Sequence, residues 1–343
     1  MTFSNIIIKW YLENKRDLPW RNTNNPYYIW LSEIMLQQTR VAQGLPYYLA
    51  FTNAFPTVFD LANASEQEVL KLWQGLGYYS RARNLHGTAK YVAENLNGIF
   101  PNNFNDLLKL KGIGEYTAAA IASFAYQEVV PVVDGNVYRV LSRYFNVTTD
   151  ISSAKAKKEF TTLAFELISR EKPATFNQAI MEFGALQCVP KNPNCSICPL
   201  NNSCYAFGYN KISDLPVKLK KTKVKQRFLN YLFVLDNNNK TTVNQRVEKG
   251  IWHNLYEFPL IETETETNNE TILEQIKEKI NDFKNITLLE SESVLHKLTH
   301  QHLHIKFWKI NQEIVFENGL DYEELNKFPF PIVIHNFILN TKF

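Results

Sequence analysis

The stretch Leu110–Arg139, with the sequence LKGIGEYTAAAIASFAYQEVVPVVDGNVYR, decides the fold of this chain. Gly112 and Gly114 flank a single apolar residue, directly before a predicted helix. Glycine permits a tight turn, and a helix N-terminus offers an anion both free N–H groups and a favourable dipole. The stretch therefore predicts either a plain turn between two helices or a turn that receives a phosphate.

The residues around this turn favour the second interpretation. Leucines precede it at positions 107, 108 and 110, and the small-residue run Thr117–Ala120 follows it. This pattern predicts a helix, a hairpin turn and a second, closely packed helix at about residues 107–125. Such a helix-hairpin-helix binds the backbone of DNA without reading its sequence. We expect Gly112, Gly114 and the neighbouring Lys111 to contact a phosphate.

A carboxylate, Asp134, lies near the end of the stretch, between an apolar run and Gly135-Asn136. An aspartate in this position commonly caps the helix that follows it. The same side chain could also serve in catalysis. The residue alone favours the cap.

The length and composition predict a globular protein. A chain of 343 residues suggests two domains, and 45% hydrophobic with 21% charged residues is ordinary for this class. No apolar run approaches the roughly 20 residues of a membrane helix, and the N-terminus lacks the features of a signal peptide. We therefore expect an intracellular, cytoplasmic protein. Residues 1–227 carry a net charge of +9 and residues 228–343 one of −6, which indicates an anionic partner for the first part.

The pattern of apolar residues divides the chain into three parts. Residues 1–210 have helical periodicity and few strand signals, and one predicted helix spans residues 26–43. Residues 211–227 carry seven basic residues and one acidic residue, which predicts a basic linker, either a plain tether or a strap near a polyanion. Residues 228–343 predict an α+β domain that begins with two successive strands, 228–235 and 241–247.

All four cysteines lie between positions 188 and 204. In an intracellular protein such a cluster indicates a metal site rather than disulfides. The spacing Cys188-x6-Cys195-x2-Cys198-x5-Cys204 could hold zinc or a [4Fe–4S] cluster, although zinc sites usually contain two short Cys-x2-Cys pairs.

The chain resembles the helix-hairpin-helix DNA glycosylases of the endonuclease III superfamily, and within it the adenine-specific mismatch glycosylases of the MutY type. The resemblance is dense from Leu18 to Cys204 and more diffuse beyond. The cysteine spacing equals that of the superfamily's iron–sulfur loop, so the resemblance implies a structural [4Fe–4S] cluster. The other matching stretches are Leu18-Pro19-Trp20-Arg21, the run WLSEIMLQQT at 30–39, Gly75-Leu76-Gly77-Tyr78-Tyr79 and Phe176-Asn177-Gln178-Ala179.

The resemblance implies an enzyme, expected to be monomeric, that excises adenine mispaired with 8-oxoguanine or guanine in double-stranded DNA. Glu33 matches the general acid that protonates adenine, and Asp134 matches the carboxylate that stabilises the positive charge developing on the sugar. The apolar neighbours of Glu33 should bury it and raise its pKa, although a glutamate at a helix edge could instead be exposed or ion-paired. Asn136 and Tyr116 are expected to support the two carboxylates.

The residue at position 116 distinguishes two reaction types within the superfamily. Members that also cut the DNA backbone place a lysine there, two residues after the second hairpin glycine, and its amine attacks the sugar. This chain has Tyr116, which has no amine. We therefore expect a monofunctional glycosylase that uses water, with the amine of Lys111, just before the turn, as the alternative nucleophile.

A target base inside a duplex must be flipped out before it is excised. The resemblance implies that Gln37 and Tyr78 fill the gap left by the base. The residues expected to line the adenine pocket are Trp20, Arg21, Leu36, Gln178 and Glu182.

The C-terminal part resembles the Nudix-like domain of the same family, through the stretch GIWHNLYEFP at 250–259. Nothing in it supplies the Glu-rich helix with which hydrolytic Nudix domains hold metal, so we expect no pyrophosphatase activity. In the family this domain checks for 8-oxoguanine opposite the adenine, with a loop that usually contains Phe-Ser-His. The matching residues are Leu298, Thr299 and His300, where leucine replaces the aromatic side chain.

Two other functions fit the sequence less well. A glycosylase with lyase activity on oxidised pyrimidines would share the fold, but Tyr116 and the long C-terminal domain argue against it. A non-catalytic module that senses lesions through its metal cluster would have no need of Glu33.

Overall fold

A computed structural model describes residues 2–219, 223–280, 283–289 and 293–341. The chain divides into two compact units, Met1–Asn63 with Asn84–Lys220 and Ala64–Arg83 with Lys221–Phe343. The helices are α1 (Phe3–Asn14), α2 (Pro26–Met35), α3 (Val41–Ala54), α4 (Val58–Asn63), α5 (Glu66–Leu72), α6 (Ser80–Asn95), α7 (Phe104–Leu107), α8 (Glu115–Tyr126), α9 (Gly135–Phe145), α10 (Ala154–Leu167), α11 (Pro173–Leu186), α12 (Tyr205–Gly208), α13 (Asn269–Lys279), α14 (Tyr322–Leu325) and α15 (Ile332–Asn340), with 3-10 turns at Pro19–Arg21 and Asn201–Ser203. The strands are β1 (Lys225–Leu235), β2 (Asn244–Gln245), β3 (Tyr256–Glu257), β4 (Leu260–Thr263), β5 (Phe283–Leu288), β6 (Val294–Lys297) and β7 (Gln301–Gln312).

The described residues of the first unit contain helices, turns and loops and no strand, which agrees with the predicted helical region. One hydrophobic core lies where α1, α9, α10 and α11 meet around the fully buried rings of Phe160, Phe176 and Phe183. None of the helices in the described ranges is long and apolar enough to cross a membrane.

The single helix predicted for residues 26–43 is wrong. The structure has two helices there, because α2 ends at Met35 and α3 begins at Val41. Gln38 has a left-handed backbone with φ of +58°, which cannot continue a helix. Leu36 and Gln37 consequently lie just after the last residue of α2.

The predicted hairpin consists of the short helix α7, a turn and α8. Gly112 has φ of +77°, and a Cβ atom at this position would lie only 2.7 Å from Cβ of Asn84 on α6. The buried hydroxyl of Thr88, also on α6, donates a hydrogen bond to the carbonyl of Lys111. The turn is therefore held against α6 by a close backbone approach that only glycine permits.

The second unit contains a mixed sheet with the strand order β4-β1-β7-β5, and β6 also pairs with β7. Of the two successive strands predicted at 228–235 and 241–247, the first is present within β1 and the second is present only in part. Strand β1 pairs in parallel with β7 over its whole length, and only Asn244–Gln245 of the second run is a strand. Helix α13 packs on one face through Ile272 and Ile276, and α15 stacks Phe337 on Phe307 at the other.

Two boundaries differ from the division expected from the sequence. Strand β1 begins at Lys225, inside the segment predicted as a linker, and its Arg227 forms an ion pair with Glu262 of β4. Residues 64–83 group with the C-terminal residues. Side chains of α5 and its following turn bond to the backbone of residues 327–330, through Gln67, Lys71 and Gln74.

Candidate active site

A cavity of about 530 Å³ in the first unit brings together side chains from α2, α8, α9 and α11. Its volume lies in the range of small-molecule sites. Nine residues singled out from the sequence line it: Trp20, Arg21, Glu33, Leu36, Tyr116, Asp134, Asn136, Gln178 and Glu182.

Glu33 lies on the buried face of α2, a helix that begins with the cap Asn25 and has Pro26 at its first position. Only 6% of the residue is exposed. The Tyr116 hydroxyl donates a hydrogen bond of 2.7 Å to Oε2 of Glu33. Burial raises the pKa of Glu33 to about 7, against the lowering effect of the Tyr116 hydrogen bond and with a further rise from the charge of Asp134. Glu33 can therefore hold a proton near neutral pH.

Asp134 is both the cap of α9 and a wall of the cavity. Its Oδ1 accepts hydrogen bonds from the backbone N–H groups of Asn136 and Val137 at 2.9 and 2.8 Å, and its Oδ2 accepts one from the Asn136 amide at 2.7 Å. Burial raises the pKa of Asp134, while these three donors oppose the rise. Because three donors stabilise this carboxylate and one stabilises Glu33, Asp134 is the better placed of the two to be ionised.

Asn136 is held from behind by Arg139, whose guanidinium donates to Oδ1 of Asn136 at 2.8 Å. The same guanidinium donates to the carbonyls of Gly184 and Cys188 at 2.6 and 2.7 Å. A Cβ at Gly184 would lie 2.6 Å from Cβ of Asn136, so this glycine lets α11 approach α9 closely. Arg139 thus links the cysteine loop to the amide that bonds Asp134.

Glu182 is 1% exposed and is bound by two arginines. Its oxygens accept five hydrogen bonds, from the backbone and side chain of Arg16 and from the side chain of Arg21. Burial alone would raise the pKa of Glu182, but these hydrogen bonds overcome it and lower the pKa to about 2. The carboxylate has about four lone-pair positions, so it has no acceptor capacity left for a ligand.

Trp20 and Gln178 also line the cavity. Trp20 is 7% exposed and packs edge-on against the ring of Tyr48, with ring centroids 5.0 Å apart. Gln178 accepts a hydrogen bond of 2.6 Å from the hydroxyl of Tyr11 on α1.

The remaining singled-out residues lie elsewhere. Gly112, Gly114 and Lys111 are exposed in the hairpin turn. Gln37 donates to the hydroxyl of Thr117 at 3.2 Å.

Three other candidates belong to the second unit. Tyr78 has φ of +48° and is 45% exposed, and its hydroxyl is hydrogen-bonded to that of Thr299. His300 is exposed, and its carbonyl accepts a bond of 2.9 Å from the N–H of Lys225. The hydrogen bond therefore joins Tyr78, which is expected to fill the gap left by the flipped base, to Thr299, which is expected to check the base opposite the adenine.

The four cysteines line one further cavity, together with apolar side chains such as Val140, Phe183 and Leu200. The buried guanidinium of Arg143 lies 3.4 Å from Sγ of Cys188, and it also donates to the carbonyls of Val189 and Pro190. A set of four thiols beside a buried cation suits an anionic iron–sulfur cluster. Cys188, Cys195, Cys198 and Cys204 would hold it, and the cluster would fix the fold of the loop.

Sequence reasoning missed Arg16, Arg139 and Tyr11. Arg139 follows Asn136 by three positions, one helical turn, and this spacing could have indicated it. Arg16 and Tyr11 reach their partners across more than 160 residues of sequence, and no local pattern indicates such contacts.

Comparison with known families agrees with this arrangement. Residues 31–164 match the HhH-GPD superfamily base excision DNA repair proteins, and residues 230–340 match the NUDIX domain. Residues 188–204 match the iron–sulfur binding domain of endonuclease III. These matches confirm the predicted fold class and the predicted iron–sulfur loop.

Full-length relatives are also similar. An adenine DNA glycosylase of Buchnera aphidicola subsp. Schizaphis graminum is 37% identical over 88% of this chain and 86% of that protein. One of Buchnera aphidicola subsp. Acyrthosiphon pisum is 33% identical over 98% of each chain. The adenine DNA glycosylase of Homo sapiens is 45% identical over 60% of this chain and 39% of that protein. Among solved structures, a thermostable thymine-DNA glycosylase has a TM-score of 0.56 and 30% identity, covering 60% of this chain and 95% of its own.

Proposed function

The chain belongs to the adenine DNA glycosylases, and from this premise we propose that it excises adenine paired with 8-oxoguanine or guanine in duplex DNA. The observation that carries the proposal is the pair of carboxyl groups in one cavity. Glu33 is poised to be protonated and Asp134 is stabilised as the anion. One acid and one carboxylate are what the cleavage of a glycosidic bond requires.

The reaction begins with adenine flipped out of the helix and bound in the cavity. Glu33 gives its proton to a ring nitrogen of the base and so makes adenine a neutral leaving group. The proton transfer leaves Glu33 as a carboxylate. The hydroxyl of Tyr116 donates a hydrogen bond to this carboxylate and so stabilises the product of the transfer. Glu33 and Tyr116 therefore act as one unit.

Asp134 faces the sugar as the N-glycosidic bond breaks. Positive charge then develops on the sugar, and an ionised carboxylate in a site with little water stabilises that charge strongly. The bonds from Asn136 keep Asp134 ionised and fix its direction. Water then attacks the sugar and completes the hydrolysis, and the proton that this water releases restores the acid form of Glu33. With tyrosine at position 116 no Schiff base forms, so the backbone stays intact.

Residues outside the cavity would bind the duplex and hold the flipped nucleotide in place. The exposed hairpin with Gly112, Gly114 and Lys111 would bind a phosphate near the flipped nucleotide. Gln37 and Tyr78 would occupy the gap in the stack. Thr299 and His300 would check the base opposite the adenine, and the Tyr78–Thr299 hydrogen bond supports a joint role.

A panel of duplexes tests the proposal. Under single-turnover conditions we expect adenine release from A:8-oxoguanine and A:G duplexes, and none from A:T. No strand cleavage should appear without alkali, and borohydride should trap no covalent adduct. Release of thymine glycol but not adenine, or a trapped adduct, would contradict the proposal.

A further inference from the structure

The wall of the cavity formed by α11 is supported from the core side by Tyr11. This residue of α1 is 3% exposed, and its hydroxyl donates to Oε1 of Gln178 at 2.6 Å. Its ring also lies 5.7 Å from the guanidinium carbon of Arg21, in cation–π contact. Tyr11 lines no part of the cavity itself, yet it contacts two residues that do.

The hydroxyl fixes which end of the Gln178 amide faces the cavity. Tyr11 has one hydroxyl proton, and it donates that proton to Oε1 of Gln178. If the amide turned round, its NH₂ group would meet the hydroxyl and the buried proton would lose that acceptor, which costs about 1–3 kcal/mol. The amide therefore directs its NH₂ group, a pure donor, towards the cavity.

The carboxylate of Glu182, the other polar group that α11 places in this wall, is already bonded within the protein, so the amide of Gln178 is the group of α11 that can bond a ligand. The oxygens of Glu182 are filled by Arg16 and Arg21, as described above. A base that enters the cavity thus meets donors on this side and no free carboxylate. Ring nitrogens of a purine are acceptors, and they match such a surface.

We propose that Tyr11 is a positioning residue, which locks the Gln178 amide as a donor towards an acceptor nitrogen of the bound base. The inference rests on the proposed function, since it takes adenine as the base in this cavity. Tyr11 acts through Gln178 and touches no substrate. Its loss should therefore impair the excision step and leave the binding of duplex DNA, which depends on phosphate contacts, unchanged.

A double-mutant cycle tests this coupling. Single-turnover adenine release and duplex affinity would be measured for the wild type, Tyr11→Phe, Gln178→Ala and the double variant. We expect Tyr11→Phe to slow excision about tenfold, the effect of one misdirected hydrogen bond, with unchanged duplex affinity. In the Gln178→Ala background the same substitution should have no further effect on excision.

Tyr27→Phe is the matched control. Tyr27 is 4% exposed and its hydroxyl donates to the carbonyl of Phe55 at 2.7 Å, so the substitution also removes one buried phenol hydrogen bond. It should excise adenine at the wild-type rate, with a loss of thermal stability similar to that of Tyr11→Phe.

Two results would overturn the inference while leaving the proposed function in place. One is a wild-type rate for Tyr11→Phe, and the other is an equal slowing by Tyr11→Phe with and without Gln178. A wild-type enzyme that releases no adenine would overturn the proposed function and this inference with it.

Discussion

Substitution of Tyr116 by phenylalanine tests the electrostatics of the candidate acid. In the wild type, excision should require protonated Glu33, whose pKa is raised to about 7. The rate is then maximal well below pH 7 and half-maximal near pH 7, and about a tenth of the acid is still protonated at pH 8. The Tyr116 hydroxyl stabilises the ionised form of Glu33 and so lowers its pKa. Removing the hydroxyl should raise the pKa of Glu33 and so move the alkaline limb of the pH–rate profile to higher pH.

The expected size of this displacement follows from the hydrogen bond. A bond to a charged group is worth about 1.5 kcal/mol, which corresponds to about one pH unit. At pH 9, Tyr116→Phe should therefore retain about ten times more of its own maximal rate than the wild type does. The measurement is the single-turnover rate of adenine release between pH 5.5 and 9.5, a range chosen around that pKa of about 7. The position of the limb on the pH axis is independent of the maximal rate.

Tyr126→Phe is a control on the same helix, because its hydroxyl donates to the carbonyl of Phe100 and lies outside the cavity lining. It should leave the profile unchanged. An alkaline limb that stays in place or moves to lower pH in Tyr116→Phe would refute the assignment of Glu33 as the group that titrates.

Three further substitutions have expected outcomes. Glu182→Gln should destabilise the fold by about 3 kcal/mol, measured by denaturant unfolding, because it leaves two guanidinium groups without their carboxylate; an unchanged midpoint would contradict this. Arg139→Leu should lower both the iron content per chain and the excision rate, since its guanidinium joins the cysteine loop to the site; loss of one without the other would separate the two roles. Thr88→Val should weaken duplex binding about fivefold by freeing the carbonyl of Lys111, whereas Thr88→Ser should restore binding; equal affinities would show that the hairpin needs no such support.

Local sequence was enough to predict the elements with local causes. Ser65 and Glu68, which stand three residues apart, form a capping box at the start of α5, and both of its hydrogen bonds lie within one helical turn. Asp134 caps α9 as its neighbours indicated, and the cavity occupies the other side of the same carboxyl group. Glu33 is buried, as the apolar residues around it predicted, and its bond to Tyr116 agrees with the supporting role that the family resemblance implied.

The predictions that were wrong or missing concern features that no local sequence pattern indicates. The helical spacing of apolar residues continued through position 38, so nothing local indicated the left-handed backbone of Gln38 that ends α2. Strand β1 has its partner β7 more than seventy residues away, and a parallel pair leaves no turn signal between its strands. The ion pairs of Glu182 required Arg16, at the far end of the unit's sequence.

The most direct test of the central claim is adenine release by Glu33→Gln. The substitution keeps the size of the side chain and removes its acidic proton. Glu159→Gln is the control, because Glu159 is a half-buried carboxylate that accepts a hydrogen bond from Thr149 and does not line the cavity. We predict that Glu33→Gln loses about 10²–10⁴-fold in the single-turnover rate on an A:8-oxoguanine duplex, with duplex affinity retained, and that Glu159→Gln keeps the wild-type rate. Adenine release by Glu33→Gln at the wild-type rate would contradict the account.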